Sequence, residues 1–434
     1  MRMKIVAALM LVGIMLLSAC AKPAASDEEK PIQFRVAWWG TVARHELRHK
    51  LYNDILDKYE ELHPHVKIIR EFDNFNNYWH RLATQAAGGN APEIITLHTQ
   101  MYGREYPEKQ LIIPLDEFVE RGIIRLDGWD PSIIEAGKVD GRLYTIPKGV
   151  TAAGMIVNVD MIKEAGMNPP PKSGLTYAEF RDWALKLKER LPEGAYVVND
   201  AGENESIFDT YVRNKGKSLF TPDGKLGFEL EDLIEFWSYW SELRELGVVP
   251  PAEVSVKYSG EQWEHSMFVN RVTAIEFLNT NQGKILQTYT EDRVDIVRLP
   301  FVEGAPYKSG ENLIATGFSI TRHSDPALRD ELARFIDWFV NDPLAVIPYQ
   351  AEMGVIGSPQ AAEVKSRLSP VAALAFEHPD QIADDIPAPE PWAEGGADIR
   401  EWYQKVYEQL RFGQLDLEQA AALFYEEATR LLDF

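Results

Sequence analysis

Between residues 32 and 97 the apolar period alternates between two residues and about 3.6, which restricts the chain to strands and helices laid down in turn. Ile32 to Trp38 alternates apolar and polar side chains as a half-buried strand does, and it ends in Trp38-Trp39-Gly40. Leu47, Leu51, Ile55, Tyr59 and Leu62 then follow a helical spacing until Pro64 stops the pattern. Val66 to Phe72 predicts a second strand, Tyr78 to Ala87 a second helix closed by Gly88-Gly89, and Ile94 to Leu97 a third strand. Short connections and right-handed crossovers turn such a βαβαβ unit into a parallel sheet. In open sheets of this kind, ligands sit outside the carboxyl ends of the strands.

Those ends can be read directly. They are Trp38-Trp39-Gly40, the run Asp73 to Trp79, and His98-Thr99-Gln100-Met101-Tyr102. Aromatic planes alternate there with Asn, Gln, His and Asp, which is the chemistry a sugar needs. The C–H faces of a pyranose stack on rings, and its hydroxyls pair with planar polar groups. The candidate ligand contacts of this half are Trp38, Trp39, Asn74, His98, Gln100 and Tyr102.

A second organising stretch is Lys138 to Val159, KVDGRLYTIPKGVTAAGMIVNV. Asp140-Gly141 predicts a two-residue hairpin turn, because both residues tolerate positive φ. Leu143 to Ile146 is then the returning strand, with Pro147 ending its ladder, and Ala152 to Val157 is a buried strand. Asp160 is expected to cap a short helix that stops at Gly166. Thr176-Tyr177-Ala178-Glu179 is a capping box opening a helix to about Arg190. Leu230 to Leu246 is a further helix, whose Phe236, Trp237 and Trp240 read as core. Arg271 to Asn279 and Val294 to Pro300 read as strands, Gly317 to Thr321 as another, Pro326 to Asn341 and Leu415 to Leu432 as helices, and Ile386 to Gly396 as a proline-rich loop that could carry Trp392 to a cleft.

Length suits two domains of ordinary size. A net charge of -22 at pH 7 argues against a nucleic-acid surface. Met1 to Lys4 form a positive n-region, Ile5 to Leu16 an apolar stretch too short to span a bilayer, and Leu17-Ser18-Ala19-Cys20 resembles a bacterial lipobox. Residues 1 to 20 then comprise signal peptide and lipobox, and in such lipoproteins the peptide is cut before the cysteine, so that Cys20 would be diacylated. Two or more acyl chains hold a protein stably at a membrane. Cys20 is the single cysteine, so no internal disulfide can form. Residues 21 to 31, rich in Ala, Pro, Ser and charge, read as a flexible tether.

His45-Glu46-Leu47-Arg48-His49 matches H-E-x-x-H, a zinc-site pattern on a helix. Arg44, Arg48 and Lys50 would surround the dication with positive charge and no third ligand stands out, so a solvated helix face is the better reading. No pair of carboxylates is singled out for glycoside cleavage, and there is no nucleophile elbow, phosphate-cradling glycine loop or cysteine cluster. Asn204-Glu205-Ser206 fits a glycosylation acceptor by chance. No catalytic role, metal or cofactor is expected.

Several segments in order now carry a resemblance. DG-RLYTIPKG, the strand ending in Asn158 and Lys163-Glu164-Ala165-Gly166 are similar to the crossover segment of the extracellular solute-binding proteins of carbohydrate ABC importers. Ala37 to Gly40, Asn77 to Gln85, Gly88 to Ile95 (with Glu93 for the usual Asp), Leu111 to Asp116, and Gly317 to Thr321 with Ala333 to Ile336 resemble further motifs of that family. The resemblance implies two α/β lobes joined by crossing strands, with a first lobe of about residues 32 to 153 and 312 to 355. The second lobe would be 154 to 311 and 356 to 434. It implies an extracytoplasmic monomer, anchored by lipid, that closes on an oligosaccharide and delivers it to a membrane permease. Second-lobe contacts are then expected at Tyr211, Trp263, Asn279 and Trp392. The Trp38-Trp39-Gly40 and Tyr78-Trp79 combination resembles members carrying plant cell-wall or pectin-derived sugars. Arg44, Lys148 or Arg213 could face a uronate, though ordinary surface charge is preferred for them. A binder of peptides or other non-sugar solutes, or a surface glycoside hydrolase, is the rival reading.

Overall fold

The computed structural model of the chain describes residues 31–40, 42–258, 263–387 and 390–432, and only the backbone of 42–47. The leader, Cys20, nearly all of the tether and the side chains of Arg44, His45 and Glu46 lie outside the described residues. Strands β1 (Ile32–Trp39), β2 (Val66–Asp73) and β3 (Ile94–His98) alternate with helices Val42–Leu62 and Phe75–Ala87. β1 runs parallel to both neighbours, with Ile32 opposite Val66 and Val36 opposite Ile94. The first helix turns Tyr52, Ile55, Leu56 and Tyr59 into the core, whereas Leu62 is 45% exposed, so the buried stripe is rotated from the one read off the sequence.

The turn at Asp140-Gly141 forms as expected, with φ of 49° and 77°, but between strands of only two residues, β4 (Lys138–Val139) and β5 (Arg142–Leu143). The next strand, β6 (Ile146–Thr151), runs through Pro147 instead of ending there. Among the described residues its only full partner is β11 (Ile314–Ile320), and the ladder is bulged between Thr316 and Gly317, opposite Gly149 and Pro147. An edge strand with a bulge is where a residue lacking an N–H is tolerated.

One residue, Ala152, separates β6 from β7 (Ala153–Asn158), and the two strands belong to different sheets. The helix after β7, Val159–Glu164, is capped by Asn158, whose Oδ1 accepts from the Met161 N–H at 2.9 Å. Asp160 sits inside that helix and accepts from the Arg293 N–H. With β8 (Tyr196–Val198), β9 (Thr273–Asn279) and β10 (Val294–Val297) the second sheet has the order β10-β7-β9-β8. The first has the order β2-β1-β3-β11-β6, its parallel core extended by β11, antiparallel to β3, and then β6, antiparallel to β11.

Helices bury each sheet. Arg329–Asn341 covers the first sheet with Phe335, Ile336 and Phe339. In the second lobe the capping box at Thr176 and Glu179 opens Tyr177–Lys188. Helix Leu230–Glu245 buries Phe236, Trp237 and Trp240, and Trp237 Nε1–H donates to Tyr403 of the helix Gly396–Arg411 at 2.8 Å. The result is a two-lobed α/β molecule. Among the described residues no helix is long and apolar enough to cross a membrane.

The segment after helix Pro343–Tyr349 crosses the same junction as Ala152. Val150 and Val355 exchange backbone hydrogen bonds at 2.7 and 2.8 Å, and a Cβ on Gly149 would lie 2.5 Å from the carbonyl carbon of Met353. Glu352 in this segment pairs with Arg48 at 2.9 Å, and its carbonyl accepts from Asn281 of the second lobe at 3.0 Å.

Candidate ligand cleft

Alternation along β1 separates its two tryptophans. Trp38 faces the first helix, 1% exposed, stacked on Tyr52 at 4.9 Å with planes 9° apart. Trp39 faces the other way into a cleft between the lobes of about 460 Å³. There Trp39 packs edge-on against Phe75 at 5.5 Å and lies 6.3 Å from the His98 ring. Trp38 is therefore core, because adjacent strand residues cannot share a face.

Two polar cleft residues are also helix caps. Asn74 Oδ1 accepts from the Asn77 N–H at 2.8 Å to start helix Phe75–Ala87. His98 Nδ1 accepts from the Met101 N–H at 3.4 Å to start the single turn Thr99–Tyr102. Burial, then the nearby Arg400, pushes the His98 pKa down to about 3. The imidazole is thus neutral near pH 7, and that bond assigns its proton to Nε2 as a donor.

The facing wall comes from the second lobe: Asn279 at the end of β9, Asn281, Trp263, and Asn204, Glu205 and Ser206 at the start of helix Glu205–Asn214. Asn204 caps that helix by accepting from the Ser206 N–H at 3.0 Å, so the apparent glycosylation motif is a helix start on the cleft wall. Arg400 reaches the cleft from the helix Gly396–Arg411 and pairs with Glu205 at 2.8 Å. Its guanidinium lies 5.7 Å from the Phe75 ring of the first lobe.

Of the expected contacts, Trp39, Asn74, His98, Trp263 and Asn279 come together here. The others do not. Gln100 is a strut between lobes, its Nε2 donating to Asp209 at 2.9 Å and its carbonyl accepting from the Trp392 N–H at 2.6 Å. Trp392 is buried beside Phe220, its loop reaching the lobe contact instead of the cleft. Tyr211 is wedged against Tyr177 and Phe236 and donates to Glu235 at 2.9 Å. Tyr102 stacks on Trp79 at 3.8 Å and lines a neighbouring hollow.

The cations proposed for a uronate are placed differently too. Lys148 is buried in the first lobe, 4.0 Å from the Phe318 ring centre, donating to Thr96 Oγ1 at 2.7 Å, and burial holds its ammonium well below the usual lysine range. Arg213 is buried holding the Gly310 and Pro387 carbonyls at 3.0 and 3.1 Å. Neither is a surface charge or a cleft charge. His49 of the H-E-x-x-H pattern lies against Phe72, ring centres 3.7 Å apart, and no group of three His, Cys, Asp or Glu among the described residues could hold a metal. Phe75, Asn76 and Met101 lay within the stretches singled out as strand ends. Arg48 and Glu205 fall in stretches whose patterns point elsewhere, a zinc motif and a glycosylation acceptor, and Arg400 in none, since all three reach the cleft only through tertiary folding.

Residues 47–345 match the family model described as bacterial extracellular solute-binding protein. An arabinooligosaccharide-binding protein from Halalkalibacterium halodurans is 21% identical over 291 residues, 65% of this chain, and the match spans only 62% of that relative's length. Among solved structures, an ABC substrate-binding protein from Listeria monocytogenes in complex with cycloalternan superposes with a TM-score of 0.78 at 17% identity, covering 93% of this chain and 100% of the other. A periplasmic oligogalacturonide binding protein from Yersinia enterocolitica, in complex with saturated digalacturonic acid, gives 0.78 at 20% identity, covering 93% and 99%. The fold and the matched segment together show that this chain belongs to the bacterial extracellular solute-binding protein family.

Proposed function

We propose that the chain is the substrate-binding lipoprotein of an ABC importer, held to the outer face of the cell membrane through Cys20, capturing an oligosaccharide and passing it to permease subunits. The observation that carries the reading is the composition of the two cleft walls. Trp39 and Phe75 offer ring faces from one lobe and Trp263 from the other, while Asn74, His98, Asn279 and Asn281 offer planar polar groups between them. The lobes are proposed to be residues 32 to 153 with 312 to 355, and 154 to 311 with 356 to 434. Those limits are supported by the single residue between β6 and β7. Closure follows from the same geometry: ligand on one wall recruits the other, so the closed form gains contacts absent from the open one. A micromolar complex needs about 8 kcal/mol, within reach of a few stacked rings and satisfied hydroxyls. The sugar class is also supported by the cycloalternan, digalacturonic acid and arabinooligosaccharide named for similar proteins. The reaction expected of the chain itself is none.

The test is tryptophan fluorescence and thermal shift of the protein lacking residues 1 to 20, against neutral oligosaccharides, uronate oligosaccharides and peptides, with product analysis of each hit. A stabilising sugar recovered unaltered supports the carrier. A peptide as the sole hit, or a cleaved glycan, overturns it.

A further inference from the structure

The cleft does not end at its own walls. Phe75, Asn76, Met101 and Arg400 line it on one side and on the other line a second hollow of about 830 Å³, between the first-lobe helices and the Phe220–Gly224 loop. That hollow has aromatic walls, the stacked Trp79–Tyr102 pair at 3.8 Å and Phe220 facing them from the second lobe. Seven carboxylate residues, among them Glu105, Asp223, Glu394 and Glu401, line it against three Lys or Arg. Two of those three are engaged by carboxylates of the hollow: Lys109 with Glu105 at 2.9 Å and Glu394 at 3.1 Å, and Arg104 with Glu108 at 3.5 Å. The third, Arg400, is paired with Glu205, and in the cleft Arg48 is paired with Glu352 at 2.9 Å.

We propose that the two hollows form one groove for a neutral oligosaccharide, with one end of the chain held between Trp39 and Asn279 and the other passing the Phe75–Arg400 neck to lie between Tyr102 and Phe220. This rests on the sugar-binding reading and narrows it. An acidic chain would need a cation, and among the described residues each cation of the groove already has a carboxylate within 4 Å. Separating the largely buried Arg48–Glu352 and Arg400–Glu205 pairs is costly, and the surplus carboxylates of the second hollow repel a polyanion. The aromatic side chains that line both hollows suit uncharged pyranoses or furanoses.

Isothermal titration with a ladder of neutral arabino- and gluco-oligosaccharides from disaccharide to octasaccharide, beside oligogalacturonates and their methyl esters of equal length, tests this. Expected are affinities that rise at least tenfold with length, and free-acid galacturonates at least tenfold weaker than their esters. The double variant Asp223→Lys, Glu401→Lys alters exposed side chains, 68% and 43% accessible, and is checked for an unchanged melting point. It should narrow the acid-to-ester gap for long chains and leave it unchanged for the dimers. Disaccharides binding as tightly as octasaccharides, or free acids binding better than esters, overturn the two-hollow groove while leaving sugar binding intact. Silence toward every sugar overturns both.

Discussion

Asp209 gives a stability prediction with a definite sign. It sits on helix Glu205–Asn214, buried, where Gln100 of the other lobe donates to its Oδ2 at 2.9 Å. Burial raises its pKa from 3.8 to about 6, with Arg213, Gln100 and Asn312 only partly opposing the shift. A carboxyl whose folded pKa lies above its unfolded value adds stability that is fully present below the unfolded pKa and is lost as pH rises through the folded one. The window is therefore about pH 4 to 7, and roughly two pKa units at 1.36 kcal/mol each make the loss about 3 kcal/mol. Asp209→Asn keeps the volume and removes the titration. The measurement is chemical unfolding of both proteins at half-unit steps from pH 4 to 7.5, taking the difference between them so that other carboxylates, Glu203 among them, cancel. The variant should gain on the parent by about 3 kcal/mol across that range. A difference that stays level with pH, or one that falls, refutes a buried Asp209 at the lobe contact.

The two adjacent tryptophans should separate binding from folding. Trp39→Ala is expected to weaken sugar affinity at least tenfold in titration, whereas Trp38→Ala should cost about 3–5 kcal/mol in unfolding free energy and leave the affinity of the folded protein unchanged. Glu352→Gln leaves Arg48 buried without its carboxylate, so stability should drop by about 3–5 kcal/mol and affinity for a uronate should rise. Parent-like unfolding together with unchanged uronate binding would count against that pair. Gly149→Ala puts a Cβ 2.5 Å from Met353 backbone, which must move, so a loss of about 1–3 kcal/mol is expected from thermal unfolding, and none if that close approach is absent.

The first lobe was readable because its signals are local. Period-two and period-3.6 runs marked β1 to β3 and their helices, and Asp140-Gly141 marked its turn through the φ both residues adopt. What joins that unit was not readable. β11 aligns Thr316 with His98, residues more than two hundred positions apart, and nothing near either one specifies that pairing. Pro147 seemed to end a strand because its tolerance depends on an edge position and a bulge that only the sheet order creates. Asn158 and Asp160 are both competent caps, and the register of β7 against β10, which ends with Asn158 opposite Val294, decides for Asn158.

The cleft divides along the same line, for a physical reason. Where a strand passes straight into a helix, a short side-chain acceptor caps the turn, and the chain supplies Asn74 just after β2 and His98 at the end of β3. Their second role, offering polar groups at the carboxyl edge of a parallel sheet, follows from position, which is why strand ends alone found them. Trp38 and Trp39 are equivalent in composition, and only the side taken by helix Val42–Leu62 decides which becomes core. The opposite wall has no comparable rule. Arg400 arrives from a helix near the chain's end, and Glu205 from a helix start that imitates a glycosylation motif. Each of these two charges is acceptable beside the cleft because the other is 2.8 Å away. A charge pair built from residues almost two hundred apart therefore neutralises the Arg400 guanidinium beside the cleft, and no local stretch of sequence announces it.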